Sequence, residues 1–264
     1  MAYKLIEGGG VTTPQGFLAG ACYVGVKSRK SEKPDVAIIY SEQPASCAAM
    51  FTTNKFCAAP VILDREILKK GKARAVVINS GNANACCPQS HENAEAMSAS
   101  AAAATGREPG DFVVASTGVI GQTINISAIQ AGLPQAAAAP SADGSDAAAH
   151  AIMTTDTVKK EIAVSLTIGG KEVRLGAIAK GSGMIHPNMG TMLAFITTDC
   201  AITHEMLSEA LREVVPRTFN RVTVDGDTST NDMCVVLANG MAGNSLIEWK
   251  DQDYETFLAA LEEV

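Results

Sequence analysis

The sequence predicts an α/β fold in which mixed or antiparallel sheets are layered with helices. Three observations lead there. Short β-branched runs recur along the whole chain, alanine-rich or amphipathic segments separate them, and no regular strand–helix–strand rhythm is present to build an all-parallel sheet. A chain of 264 residues, 47% hydrophobic and 19% charged, is long and apolar enough to bury a sizeable core.

The strand candidates, in order, are "DVAIIYSE", "CAAMFTT", "RAVVINSG", "DFVVASTG", "IAVSLTIGG", "VRLGAIAKG", "LAFITTDCAI", "RVTVDG" and "CVVLANG". Most end at Gly, Asn, Asp or Ser, the residues that turns favour. "EIAVSLTIGGKEVRLGAIAKG" reads as a hairpin, because Gly169-Gly170 supplies two positive φ angles at little steric cost. Among helices, "ENAEAMSASAAAATG" has acidic residues in its first turn and Gly106 placed to terminate it. "NISAIQAGL" and "SDAAAHAIMT" are shorter candidates, and "LPQAAAAPSADGSD" reads as a surface connection. "HEMLSEALREVV" carries Met206, Leu207, Ala210, Leu211 and Val214 at helical spacing. "YETFLAALEEV" has an apolar face of Tyr254, Phe257, Leu258 and Leu261 and stops without a capping signal, as part of a longer protein would.

Charge and cysteine usage exclude several classes. With 21 basic and 28 acidic residues the net charge is -7, so no basic stripe is available to replace phosphate counterions on a nucleic acid. The apolar runs are too short to span a bilayer, and "MAYKLIEGGG" lacks the apolar core of a secretion signal, which points to the cytoplasm. Seven cysteines, at 22, 47, 57, 86, 87, 200 and 234, contain no Cys-x-x-Cys pair and read as reduced thiols. No metal is expected: the four histidines form no spaced pair, and "DGDTSTND" lacks the glycine and glutamate of a calcium loop. "STGVIGQT" has two glycines after a strand but no lysine, so it fails as a phosphate-cradling loop.

One stretch is left over: "KGSGMIHPNMGTML", Lys180 to Leu193, a loop poor in charge between an alternating segment, "KEVRLGAIAK", and an apolar one, "MLAFITTDCAI". A threonine hydroxyl is a weak nucleophile without a base beside it. Making the threonine N-terminal lets its own α-amine serve as that base, since such a group titrates near 8 and is partly neutral at physiological pH. Cleavage between Gly190 and Thr191, through attack of the Thr191 hydroxyl on the Gly190 carbonyl, would produce that arrangement. The bland alternative is a plain turn entering a strand.

Six stretches taken together resemble the ornithine acetyltransferase family of arginine biosynthesis: "GGGVTTPQGFLAG", "INSGNANAC", "VASTGVIG", "IMTTDT", "KGSGMIHPNMGTMLAFITTD" and "FNRVTVDGDTSTND". They occur in order and run through nearly the whole chain. The resemblance implies the layered fold shared with DmpA-type aminopeptidases. It implies self-cleavage before Thr191, giving an α chain of residues 1–190 and the N-terminal part of a β chain at 191–264, associated as a tetramer with two of each. Thr191 would then carry an acetyl group from N-acetylornithine to glutamate, with no cofactor and with acetyl-CoA as a further donor in many family members. By the same resemblance Thr117 and Gly118 match the oxyanion pair, and Thr154 and Lys180 match substrate-binding positions alongside Thr191. Two departures stand out. The family usually has alanine where this chain has Gly190, and it continues past residue 264 with a glutamate and an Asn/Thr pair for the substrate pocket. The rival expectations are a related N-terminal-nucleophile aminopeptidase and an inactive fragment that keeps the fold.

Overall fold

The computed structural model describes residues 3–26, 33–138, 140–184 and 192–264. In chain order its elements begin with strands β1 (Tyr3–Leu5), β2 (Phe17–Cys22) and β3 (Val36–Phe51), then helix α1 (Ala59–Ile67), β4 (Lys72–Asn82), α2 (Ser90–Thr105), β5 (Phe112–Val119), α3 (Ile126–Ala138) and α4 (Ser145–Ile152). The second half supplies β6 (Lys160–Ile168), β7 (Lys171–Lys180), β8 (Leu193–Thr198), α5 (His204–Val214), β9 (Met233–Ala238) and α6 (Gln252–Glu263). Among the described residues, all nine strands join into one mixed sheet, ordered β1-β6-β7-β8-β9-β3-β4-β5, with β2 paired to β3. The pairs β4/β5 and β8/β9 are parallel and the others antiparallel.

β3 makes the sheet continuous. Its first half pairs with β2 and its second half with β9, both on the side away from β4. The sequence reads as two strands here because Pro44 interrupts it, and Pro44 has no N–H to give to a ladder. The chain accommodates it at an exposed break in register between Tyr40 and Ala45, where the pairing to β4 skips and then resumes.

Side-chain alternation sorts the core into layers. On β3, Ala37, Ile39, Ala45 and Cys47 face a central cluster that also takes Val76 and Ile78 of β4, Leu193 and Phe195 of β8, Val235 and Leu237 of β9, and Ala148, Ala149 and Ile152 of α4. The other face is covered in two parts. Met97 and Ala101 of α2 and Ile129, Leu133 and Ala136 of α3 lie over Ile38, Val77 and Val114. Leu207 and Leu211 of α5 and Phe257 and Leu261 of α6 lie over Leu175, Ile196 and Val236. The parallel pairs are buried on both faces, which is why "RAVVIN" and "DFVVAS" read as unbroken apolar runs.

The β6–β7 hairpin forms as expected, with Gly169 at φ 55° and Gly170 at φ 77°. Gly106, at φ 65°, ends α2. Thr203 caps α5, its hydroxyl accepting the Met206 N–H at 3.3 Å, and Asp251 caps α6. Two expectations are corrected. "LPQAAA" is the second half of α3 and not a surface connection: Pro134 removes one helical hydrogen bond, but burial of Leu133 and Ala136 against α2, β2 and β3 holds the helix together. "RVTVDG" forms no strand; Val222 and Val224 alternate as a strand would but are exposed, with no strand among the described residues paired to them.

Phe195, 1% exposed at the centre of the sheet, tests this layering. Phe195→Ala should cost about 3–5 kcal/mol in urea unfolding. A loss under about 1 kcal/mol would mean that the central layer is not closed around it.

Candidate active site

The strand ends carrying the sequence-singled residues converge. β5 runs parallel to β4, so its last residues lie beside the end of β4: Thr117 is paired with Ser80 and Gly118 with Gly81. β7 ends at Lys180, which is paired with Leu193, the first residue of β8. β8 and β9 start together, Leu193 beside Met233. Thr154 follows α4 by two residues. Gly81, Thr117, Gly118, Thr154, Lys180 and Met184 line one cavity of about 440 Å³.

Gly118 is required by close approach. Its φ is 137°, and a Cβ there would lie 2.2 Å from the carbonyl carbon of Gly81 and 2.5 Å from the Asn82 nitrogen. The turn that presents the Gly118 backbone therefore accepts no side chain.

Lys180 is 2% exposed, and its ammonium donates to Thr117 Oγ1 at 3.3 Å. An ammonium has only donors, so Thr117 Oγ1 is the acceptor and its own O–H remains able to donate elsewhere. Burial pulls the Lys180 pKa below its ordinary value; the negative charges of Asp156 and Asp232 work against that pull, and Lys160 adds to it. Thr117, Gly118, Thr154 and Lys180, separate in sequence, are thus brought to one site. Gly190 and Thr191 lie outside the described residues.

Two carboxylates complete the surroundings, and neither was singled out by the sequence. Asp156 has a fully enclosed side chain. Its Oδ1 accepts the Gly181 N–H at 2.8 Å and the Lys160 ammonium at 2.7 Å, and its Oδ2 accepts the Thr154 N–H at 3.2 Å. Burial alone would raise its pKa, but Lys160 and the two N–H donors more than offset that and hold it below the usual value. Asp232, 0% exposed, accepts the Met192 N–H at Oδ1 at 2.8 Å, while its Oδ2 is buried with no hydrogen-bond partner within range among the described residues. Burial pushes Asp232 up to about 8, against the hydrogen bonds from Met192 and Ser229 and the charge of Lys180. Beside it, Asn231 Nδ2 donates to the carbonyls of Ala83 and Ser116 at 2.7 and 2.9 Å, tying the start of β9 to β4 and β5. Apart from Thr154 and Lys160, these partners are 25 to 148 residues away, so the motifs "IMTTDT" and "VDGDTSTND" flagged the segments but not the roles.

The architecture belongs to a known class. The L-aminopeptidase D-Ala-esterase/amidase of Ochrobactrum anthropi, a variant of the Ntn hydrolase fold, aligns with 97% of this chain and 84% of its own at a TM-score of 0.56 and 15% identity, a likeness of fold alone. Within that class the match is specific: the ArgJ family model covers residues 18–264, and the chain belongs to the ArgJ family. The arginine biosynthesis bifunctional protein ArgJ of Symbiobacterium thermophilum is 52% identical over 254 residues, which are 96% of this chain and 63% of that protein. This chain therefore spans just under two thirds of the length of that curated relative. Among solved structures, arginine biosynthesis bifunctional protein ArgJ of Bacillus halodurans aligns with a TM-score of 0.67 and 39% identity, over 70% of this chain and 97% of its own. The ornithine acetyltransferase of Mycobacterium tuberculosis complexed with ornithine aligns with a TM-score of 0.63 and 33% identity, over 70% of this chain and 98% of its own.

The raised pKa of Asp232 has a pH signature. An acid whose folded pKa exceeds its unfolded value stabilises the fold fully below the unfolded value, near 4, and loses that contribution as pH rises through the folded value, here about 8. Asp232→Asn keeps the acceptor for Met192 without the charge. The variant's unfolding free energy relative to the parent's should rise by about 1 kcal/mol or more between pH 5 and pH 9. Parallel pH profiles in denaturant melts would refute the assignment.

Proposed function

We infer that the chain is the larger part of a self-cleaving acetyltransferase that uses Thr191 as its nucleophile and moves an acetyl group from N-acetylornithine to glutamate. The observation that carries this reading is the meeting of Thr117, Gly118, Thr154 and Lys180 at one cavity, with Met184 still lining it and β8 resuming beside Lys180 at Leu193. The residues between the two include the Gly190–Thr191 bond.

In the first step Thr191 Oγ attacks the Gly190 carbonyl and its proton passes to the departing nitrogen. The C–N bond breaks and an ester forms, which water hydrolyses to a Gly190 carboxylate and a free Thr191 amine. That amine then takes the hydroxyl proton as Thr191 attacks the acetyl carbonyl of N-acetylornithine, and returns it to the leaving ornithine nitrogen. The Thr117 O–H and the Gly118 N–H face the developing oxyanion. A donor so placed contributes a few kcal/mol, about 2.7–4 in measured cases. Lys180 and Thr154 receive the carboxylate end of the amino acid, where a buried ammonium counts for more than an exposed one. Glutamate resolves the acetyl-threonine ester through its amine, completing a ping-pong cycle. The two products of cleavage remain paired through the β7–β8 ladder, in an assembly with two copies of each.

Two likenesses support this reading. The aligned 70% of this 264-residue chain, about 185 residues, makes up 97% of the Bacillus halodurans chain, which is therefore about 190 residues long, the length expected of residues 1–190. The Mycobacterium tuberculosis structure is described as a complex with ornithine, the product of the first half-reaction proposed here.

Intact mass under denaturing conditions tests the first step. The purified chain should give one species ending at Gly190 and one beginning at Thr191, and Thr191→Ala should give a single species of 27.4 kDa. Cleavage surviving in Thr191→Ala would remove Thr191 as nucleophile. Acetylglutamate formed from acetylornithine only when glutamate is added would separate transfer from the hydrolysis an aminopeptidase performs.

A further inference from the structure

Asp156 lies between the two candidate substrate-binding residues and binds the backbone of each neighbourhood. One carboxylate oxygen holds the Thr154 N–H, two residues back. The other holds the N–H of Gly181, the residue directly after Lys180, 25 positions away on the end of β7. The side chain is fully enclosed, and its remaining partner, Lys160, is a half-exposed residue that opens β6. Its charge also favours the ammonium form of Lys180.

We propose that Asp156 is a positioning residue that fastens Thr154 and Lys180 into one rigid substrate-binding unit. The inference rests on the function inferred above for the use of that unit, while the fastening itself is independent of it. The segment 153–159 between α4 and β6 has no ladder of its own. Without the clamp, the Thr154 segment would be held to the Lys180 end of β7 by the long Ser182 Oγ–Thr155 carbonyl contact of 3.4 Å and by the β6–β7 ladder, which starts only at Lys160. A fixed pair of recognition groups spares the substrate the entropy of ordering them, so the clamp acts on binding. The charged groups acting on Lys180 are Asp156 and Asp232, which favour its ammonium form, and Lys160, which opposes it. Removing the Asp156 charge therefore shifts that balance towards neutral lysine.

The test has three readings. In the unmodified chain, amide NMR signals of Thr154 and Gly181 should share one acid transition, below the ordinary carboxylate range, because both report the same carboxylate. Separate transitions, or none in either, would overturn the clamp without any variant having to fold. In Asp156→Asn the Lys180 ammonium signal, assigned through Lys180→Arg, should titrate at lower pH than in the parent; an unchanged midpoint would overturn the electrostatic part. In acetyl transfer the same variant should lose about tenfold or more in KM for acetylornithine, with the loss falling on KM more than on kcat. A wild-type chain that does not cleave before Thr191 would defeat the proposed function, and the two NMR readings would still decide the clamp.

Discussion

The arrangement depends on one buried cation. Lys180 places an ammonium in the protein interior against Thr117, at the end of a strand with no free surface to which it can extend. An isolated charge in that environment would cost far more than one domain's stability allows, so the surroundings must answer it. They do so with Asp156, committed to backbone N–H groups and Lys160, and with Asp232, committed to Met192, in so far as it is ionised; among the described residues neither forms a direct ion pair to Lys180. The lysine stays available to the cavity, and the carboxylates supply field and not contact.

The sheet order gives this cation its place. Because β8 and β9 are parallel and start at one end, and β7 is antiparallel to β8, the last residue of β7 lies beside the first residues of β8 and β9. Asn231, just before β9, reaches across to Ala83 and Ser116 and draws in the ends of the other parallel pair, β4 and β5. Two parallel pairs joined through β3 thus deliver the Gly118 end of β5 and the cationic Lys180 end of β7 to a single cavity. The three layers of apolar side chains hold those ends in place from both faces.

How much of this the sequence carries depends on the range of the interaction. The β6–β7 hairpin is legible because Gly169-Gly170 settles its turn locally, and α5 because its apolar spacing and Thr203 cap lie within a few residues. β3 reads as two strands, since nothing near Pro44 says that pairing resumes beyond it, and "RVTVDG" reads as a strand because alternation alone cannot say whether a neighbour exists. The helix through Pro134 depends on burial against α2, a tertiary contact that overrides local propensity. At the site, Thr117, Gly118, Thr154 and Lys180 are marked only by a resemblance. Asp156 and Asp232 are marked by nothing local, because an acidic residue in a polar loop looks the same whether it faces water or a backbone N–H far along the chain.

The energetics of the site separate its purpose from that of the fold. A buried carboxylate raised to about 8, with one oxygen unpartnered, and a buried lysine pulled towards neutrality are both positions where an apolar residue of similar size would cost the fold less. Around them the sheet is continuous, the α5 and α6 caps are satisfied and the apolar layers are closed. Strain confined to the ends of four strands facing one cavity, in a chain otherwise locally consistent, is the pattern expected where chemistry and not stability selects the residues. The same reasoning ranks the two acids. Asp156, fully engaged and held below its usual pKa, gives rigidity, whereas Asp232, half-engaged and held above it, adjusts the charge felt by Lys180.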